Sequence, residues 1–255
     1  MPFQRIEAEK LSQSVVKQIE QLVLRGILRP GDRLPSEREL SERLGVSRPS
    51  LREAVAELQS RGLLATRAGA GIYVADVLGS AFSPALIELL SAHDDAIFDY
   101  IDFRKDLEGI AAERAAIHGS DTDLKVIDTI FRKMEVAHRK RNPSDEAELD
   151  AEFHLAIIEA SHNVILLHMM RASFDLLRQG VFYNRQQMFK NRTTRDMLLD
   201  QHRAINEGIQ AREPTQAKAA VTAHLDYVTE ELSSLKASEK NEKVARLRYA
   251  QERER

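Results

Sequence analysis

The chain contains no cysteine and no tryptophan among its 255 residues. The first absence removes disulfides, thiolate metal ligands and thiol nucleophiles together. It suits a reducing cytoplasm, which is where we expect the protein to work. No apolar run reaches the length of about 18 residues that a membrane span needs, and no apolar run follows a basic N-terminal segment. Neither a spanning helix nor a signal peptide is therefore expected. Aromatics are scarce at 5%, whereas 43% of residues are hydrophobic and 30% are charged. At this length such a composition supports one large core or two smaller ones. A positive excess is also missing, the net charge being −3. The balance is uneven, however: residues 1–75 hold 12 Lys and Arg against 9 Asp and Glu, and the remainder holds 25 against 31. A slightly basic unit followed by an acidic one suits polyanion binding by the first part only.

What is present is most legible between Leu34 and Val74, LPSERELSERLGVSRPSLREAVAELQSRGLLATRAGAGIYV. Before it, Leu11, Val15, Ile19, Leu22 and Val23 recur at helical spacing, predicting an amphipathic helix over 9–26. Arg29-Pro30-Gly31-Asp32 is a turn. Ser36 with Glu39 three residues on reads as a capping box opening a second helix, and Gly45 supplies a left-handed stop. Ser47 caps a third helix with Pro49 in its first turn, and Gly62 ends it. Leu63–Arg67 and Ile72–Val74 predict a hairpin with Ala68-Gly69-Ala70-Gly71 at its tip. Three helices and a hairpin in this order describe a winged helix-turn-helix, and so a duplex DNA ligand. The N-terminal end of the third helix is the part that enters the major groove. Arg48 and Arg52, one turn apart, share a face there, and Arg pairs bidentately with guanine. Ser47, Ser50 and the first free N–H groups suit phosphate oxygens. Arg38 on the preceding helix could reach backbone or base, and Gly69 allows the wing backbone close to the minor groove. Pairing of Arg48 or Arg52 with Glu53 or Glu39 is the plainer alternative.

PSERELSERLGVSRPSLREAVAELQSRGLL followed by RAGAGIYV resembles the GntR family of bacterial transcription regulators over nearly all of residues 9–75. The resemblance implies that Arg38, Arg48, Arg52 and Gly69 contact DNA, with Ser47 and Ser50 on phosphates. It also implies a homodimer reading the two halves of an inverted-repeat operator.

Beyond a linker at 76–84, residues 85–236 show only helical patterning and predict an all-α bundle. The candidate helices are 85–92, 96–117, 122–140, 145–160, 163–189, 193–211 and 214–236. Residues 237–255, of which ten of nineteen are charged, read as a frayed tail. The fold class is thus mainly α, a winged helix-turn-helix at 1–75 followed by a helical effector and dimerisation domain. Of eight His, those at 93, 118, 138, 162 and 168 need no special role. Asp150 and His154 meet on one helix face, Glu152 points away, and His202 and His224 lie on two further helices. One carboxylate and three imidazoles make a sensible set for a divalent transition metal, although Asp-x3-His on a helix is common and spacing alone leaves ordinary core histidines open.

Residues 97–230 resemble the FCD effector domain of the FadR subfamily. That resemblance implies a metal held by Asp150, His154, His202 and His224 at the base of a buried cavity, zinc first, with nickel, manganese or iron as alternatives. It also implies that Arg104 meets a small carboxylate effector, where sequence alone equally allows an exposed bridge to Glu108. Several stretches, among them EASHNVILLH, resemble the pyruvate- and lactate-responsive members. The expected function is repression of pyruvate dehydrogenase complex genes, relieved by a pyruvate-like acid. The alternatives are an L-lactate or glycolate regulator, to which the full Asp/His set is more typical, or a metal sensor with no organic effector. No enzymatic activity is expected.

Overall fold

The computed structural model describes residues 10–67, 71–76, 83–93, 96–178, 188–189 and 192–254. The chain divides into two compact units, Met1–Ala81 and Phe82–Arg255. The expected wing tip with Gly69 and most of the expected linker lie outside the described residues.

The first unit contains helices α1 (Leu11–Leu24), α2 (Glu37–Leu44) and α3 (Arg48–Ser60), then strands β1 (Leu64–Arg67) and β2 (Gly71–Val74). The strands pair antiparallel with Leu64 opposite Val74 and Arg67 opposite Gly71. Arg33 adds a bridge to Tyr73, so the segment before α2 lies along the hairpin. The core joins Val15, Val16, Ile19 and Val23 of α1 to Leu51, Ala54, Val55 and Leu58 of α3, closed by Leu34, Leu64 and Val74. Leu11, expected on the apolar face, is instead 59% exposed at the first residue of α1. Ser36 caps α2 by accepting from the Glu39 N–H. The expected reciprocal half of the box gives way to an ion pair, since the Glu39 carboxylate lies 2.6 Å from Arg43 Nη2 on the next turn. Gly45 ends α2 at φ 64°, and the Ser47 hydroxyl accepts from the Ser50 N–H to start α3.

The second unit is helical: α4 (Pro84–Ala92), α5 (Ala96–His118), α6 (Asp121–Lys140), α7 (Pro143–Ala160), α8 (Val164–Arg178), α9 (Arg192–Gln210) and α10 (Pro214–Glu254). Helix α5 packs along α10 and α7, and α9 lies against α10 and α6. Close approach on the α5 side follows from its run of buried small residues, Ala111, Ala112, Ala115 and Ala116. The turn from α9 to α10 is equally tight, because a Cβ on Gly208 would fall 2.9 Å from the Ala217 backbone nitrogen. Asn163 caps α8 by accepting from the N–H groups of Ile165 and Leu166. The helix expected over 163–189 is described to Arg178. The tail expected to fray is instead the continuation of α10 to Glu254, exposed beyond the bundle and carrying i,i+4 pairs such as Arg246 with Glu242. Its Ala, Glu, Lys and Arg content has high intrinsic helix propensity, which a reading by net polarity overlooks.

Candidate metal centre and nucleic-acid interface

Four side chains from three helices of the bundle converge. Asp150 and His154 come from successive turns of α7, His202 from α9 and His224 from α10. All are buried, at 6%, 1%, 0% and 2% exposure. One candidate ligand atom from each lies within 4.8 Å of all the others. Asp150 Oδ1 is 3.0 Å from His202 Nε2 and 3.8 Å from His154 Nε2. The His154 and His202 Nε2 atoms are 3.3 Å apart. A first-row divalent ion with bonds of about 2.0–2.2 Å sets neighbouring ligand atoms roughly 3–3.5 Å apart. The donor set therefore fits such an ion in number and chemistry, and the Asp150–His202 and His154–His202 distances already fall in that range. Phe153 walls the cluster on one side, its ring edge-on to both His154 and His202.

The surroundings also suit ligation. Burial first, then the neighbouring His202 and His154, push the His224 imidazole well below its ordinary value. It is thus neutral, the form that offers a lone pair. His224 Nδ1 lies 3.0 Å from Gln201 Oε1, and an amide oxygen only accepts. That contact puts the ring proton on Nδ1 and leaves Nε2 as the donor atom toward a metal. His154 has a comparable partner, with Nδ1 2.6 Å from Glu108 Oε2.

Arg104 lies on α5, 1% exposed, with its Nε 2.6 Å from Glu108 Oε1. The i,i+4 bridge that sequence allowed is present, but buried rather than exposed. Burial alone raises the Glu108 carboxyl, and Arg104 and His154 more than offset it, holding it down at about 2. Arg104 also lines a cavity of about 20 Å³ together with Asp150, His224, Met188, Phe189, Leu198 and Val228. That is room for about one water. A far larger concavity, about 950 Å³, lies among Lys125, Arg132, Lys133, Asp145, Glu148 and Glu152 on α6 and α7. It is a surface groove of mixed charge with none of the clustered histidines. Its size carries less weight than the small cavity's chemistry, and Glu152 there faces away from Asp150 as expected.

In the first unit Arg38, Ser47, Arg48 and Arg52 are exposed and Ser50 is half-buried at the start of α3. Arg52 Nε is 2.8 Å from Glu37 Oε2, a partner on α2 and neither of the two expected. Such a surface pair contributes only about 0–1 kcal/mol and is readily exchanged for a phosphate or a base. Sequence reasoning missed Arg33 and Arg67, which line a cleft of about 570 Å³ with Arg52, Gln59 and Thr66 between the helices and the wing. Arg67 stacks over the Tyr73 ring at 4.4 Å. An Arg ending the strand that leads into a Gly-rich tip was the available signal. Glu108 and Gln201 were missed as partners of the histidines, since their relation to His154 and His224 exists only after folding.

A winged DNA-binding unit joined to a helical unit with a buried Asp/His3 group defines a two-part transcription regulator. Residues 11–74 match the bacterial regulatory proteins of the gntR family, and residues 99–227 match the FCD domain. The chain belongs to the GntR family, with the FCD domain of its FadR-like subfamily. It is 36% identical over 223 residues to an Escherichia coli K12 protein named as a regulatory protein of the L-lactate dehydrogenase operon, covering 86% of this chain and 85% of that one. It is 33% identical to the Glc operon transcriptional activator of the same organism, covering 90% and 91%. Bacillus subtilis LutR, an HTH-type transcriptional regulator, is 31% identical over 83% and 96%. The solved Streptococcus agalactiae GntR superposes with a TM-score of 0.51 at 24% identity, over 85% of this chain and 98% of that one, a likeness of fold. The chain is accordingly a DNA-binding transcription regulator and not an enzyme. Among the described residues no helix is long and apolar enough to cross a membrane.

Proposed function

We propose that this regulator is a homodimer that releases an inverted-repeat operator when a small 2-hydroxy or 2-oxo carboxylate enters the helical unit. Residues 1–75 serve as the reader, 76–84 as the linker and 85–236 as the effector and dimerisation domain. The observation that carries the reading is the burial of Arg104 beside the candidate metal ligands Asp150 and His224, with which it lines one small cavity. A divalent transition metal held by Asp150, His154, His202 and His224, zinc first among the candidates, supplies a Lewis-acid site for oxygen donors when bound. Arg104 offers the complementary charge to a carboxylate, and its planar fork selects for that geometry. Arg48 and Arg52 read bases, Arg38 and the Gly69 wing tip contact DNA, and Ser47 and Ser50 hold phosphates. Ligand binding switches the protein by favouring an arrangement of the two readers that does not span both half-sites.

Of the acids considered, the relative named for the L-lactate dehydrogenase operon favours L-lactate. Pyruvate, with pyruvate dehydrogenase genes as the repressed targets, and glycolate are the other arms of the test. The cavity's small volume favours a second reading, in which metal alone is the signal. The experiment is an anisotropy titration of the full-length protein on an inverted-repeat operator, with L-lactate, pyruvate, glycolate and divalent metal added separately. Release by one acid in the metal-loaded protein supports the first reading. Release by metal with no response to any acid establishes the second.

A further inference from the structure

The buried carboxylate of Glu108 lies between two groups on which the proposed function depends. Its Oε1 is 2.6 Å from Arg104 Nε and its Oε2 is 2.6 Å from His154 Nδ1, with both residues of the second contact 1–2% exposed. A carboxylate oxygen this close repels a bare Nδ1 lone pair in a dry interior and draws a proton to Nδ1, although the Nδ1–H bond does not point along the line to Oε2. A ring that carries its hydrogen on Nδ1 presents the Nε2 lone pair. Nε2 is the atom that faces Asp150 Oδ1 and His202 Nε2. We infer that Glu108 is a positioning residue for His154: it fixes the tautomer and the ring orientation in which His154 ligates metal, while Arg104 holds Glu108 in place. The inference rests on the metal reading of the Asp/His3 group.

Only a carboxylate satisfies both contacts, because both its oxygens accept. An amide at position 108 has one acceptor and one donor. If its oxygen faces His154, its NH2 group opposes the Arg104 N–H. If its oxygen faces Arg104, its NH2 group opposes Nδ1 and drives the His154 hydrogen to Nε2, away from the ligating tautomer.

The test uses the full-length protein and Zn2+ as the probe, with affinity measured by competition against a chelator. Glu108→Gln is expected to weaken Zn2+ binding about 10- to 100-fold, the usual effect of losing such an outer partner. Glu108→Asp, which keeps both acceptors, is expected to recover part of that loss. A ¹⁵N NMR spectrum of the metal-free protein provides a readout that a general packing role would not move: the His154 resonances report an Nδ1–H ring in the wild type and lose that signature in Glu108→Gln. Should Glu108→Gln fail to fold around the uncompensated arginine, the double variant Arg104→Met, Glu108→Leu removes both charges, leaves His154 Nδ1 with no acceptor at position 108, and carries the same expectation. Wild-type zinc affinity in a folded Gln or Leu variant overturns the role of Glu108. Absence of zinc binding by the wild type overturns the metal reading beneath it.

Discussion

The two units keep their functional groups in opposite places. In the winged unit the candidate contacts Arg38, Arg48 and Arg52 are exposed, and the core beneath them is wholly aliphatic. In the helical unit the candidate groups are the interior: Arg104, Glu108, Asp150, His154, His202 and His224 are all at most 6% exposed. A surface reader needs its side chains free to exchange weak partners for a phosphate or a base, as the Arg52–Glu37 pair permits. A buried sensor has to satisfy every polar group before its ligand arrives, because each lone buried charge costs far more than a surface one. The Arg104–Glu108 ion pair and the Gln201–His224 contact go part of the way toward that demand. The two halves of this regulator therefore differ in how much of their function is assembled by folding itself.

The largest expected effect breaks the comparison on its buried side. The double variant Asp150→Ala, His202→Ala removes two of four candidate ligands, and stoichiometric metal should disappear from the purified protein, as read by elemental analysis. Operator binding in the absence of effector should survive, because the winged unit has its own core. Retained stoichiometric metal would eliminate the proposed centre. Loss of operator binding together with metal would mean that the centre acts on the reader even without an effector.

The same contrast decides what the sequence made legible. Caps and stops are local, so Ser36, Gly45, Ser47 and Gly62 outline the helix-turn-helix from neighbours a few positions away. The wing followed from two short apolar runs around a Gly-rich segment. In the bundle, Asp150 with His154 could be paired by helical geometry, whereas His202 and His224 could be added only as chemically suitable residues, a grouping that resemblance to a known domain strengthened. Nothing local connects position 154 with 202 or 224; tertiary packing does. Glu108 shows the limit most clearly. Its i,i+4 relation to Arg104 was readable, whereas its burial and its contact with His154, 46 positions away, depend on how α5 meets α7. The tail failed for a different reason: polarity was taken as disorder, although its residues are strong helix formers.

A middle-sized effect is expected on the exposed side. Arg48→Ala should weaken operator binding by about 1–3 kcal/mol and relax base preference at one position of each half-site. Anisotropy with a panel of single-base operator variants measures both. A uniform loss over all variants, with a shallower salt dependence, would reassign Arg48 from base to phosphate. Unchanged affinity and preference would remove it from the interface.

The smallest effect concerns Ser47, where structure and recognition share one hydroxyl. Its oxygen accepts from the Ser50 N–H at 3.3 Å and lies 2.9 Å from the Ser50 hydroxyl. Ser47→Ala should therefore destabilise the winged unit by about 0.5–2 kcal/mol, visible as a lowered thermal midpoint. Ser47→Asp keeps a capping oxygen and adds a negative charge at the N-terminus of α3, which the helix dipole favours. Its stability should match the wild type to within a few tenths of a kcal/mol. Its operator affinity should fall, however, because the same charge faces the phosphates that the exposed start of α3 is proposed to meet. If Ser47→Asp is as stable as the wild type and binds the operator equally well, Ser47 is a cap alone, and the phosphate contacts at this helix end fall to Ser50 and the free backbone N–H groups.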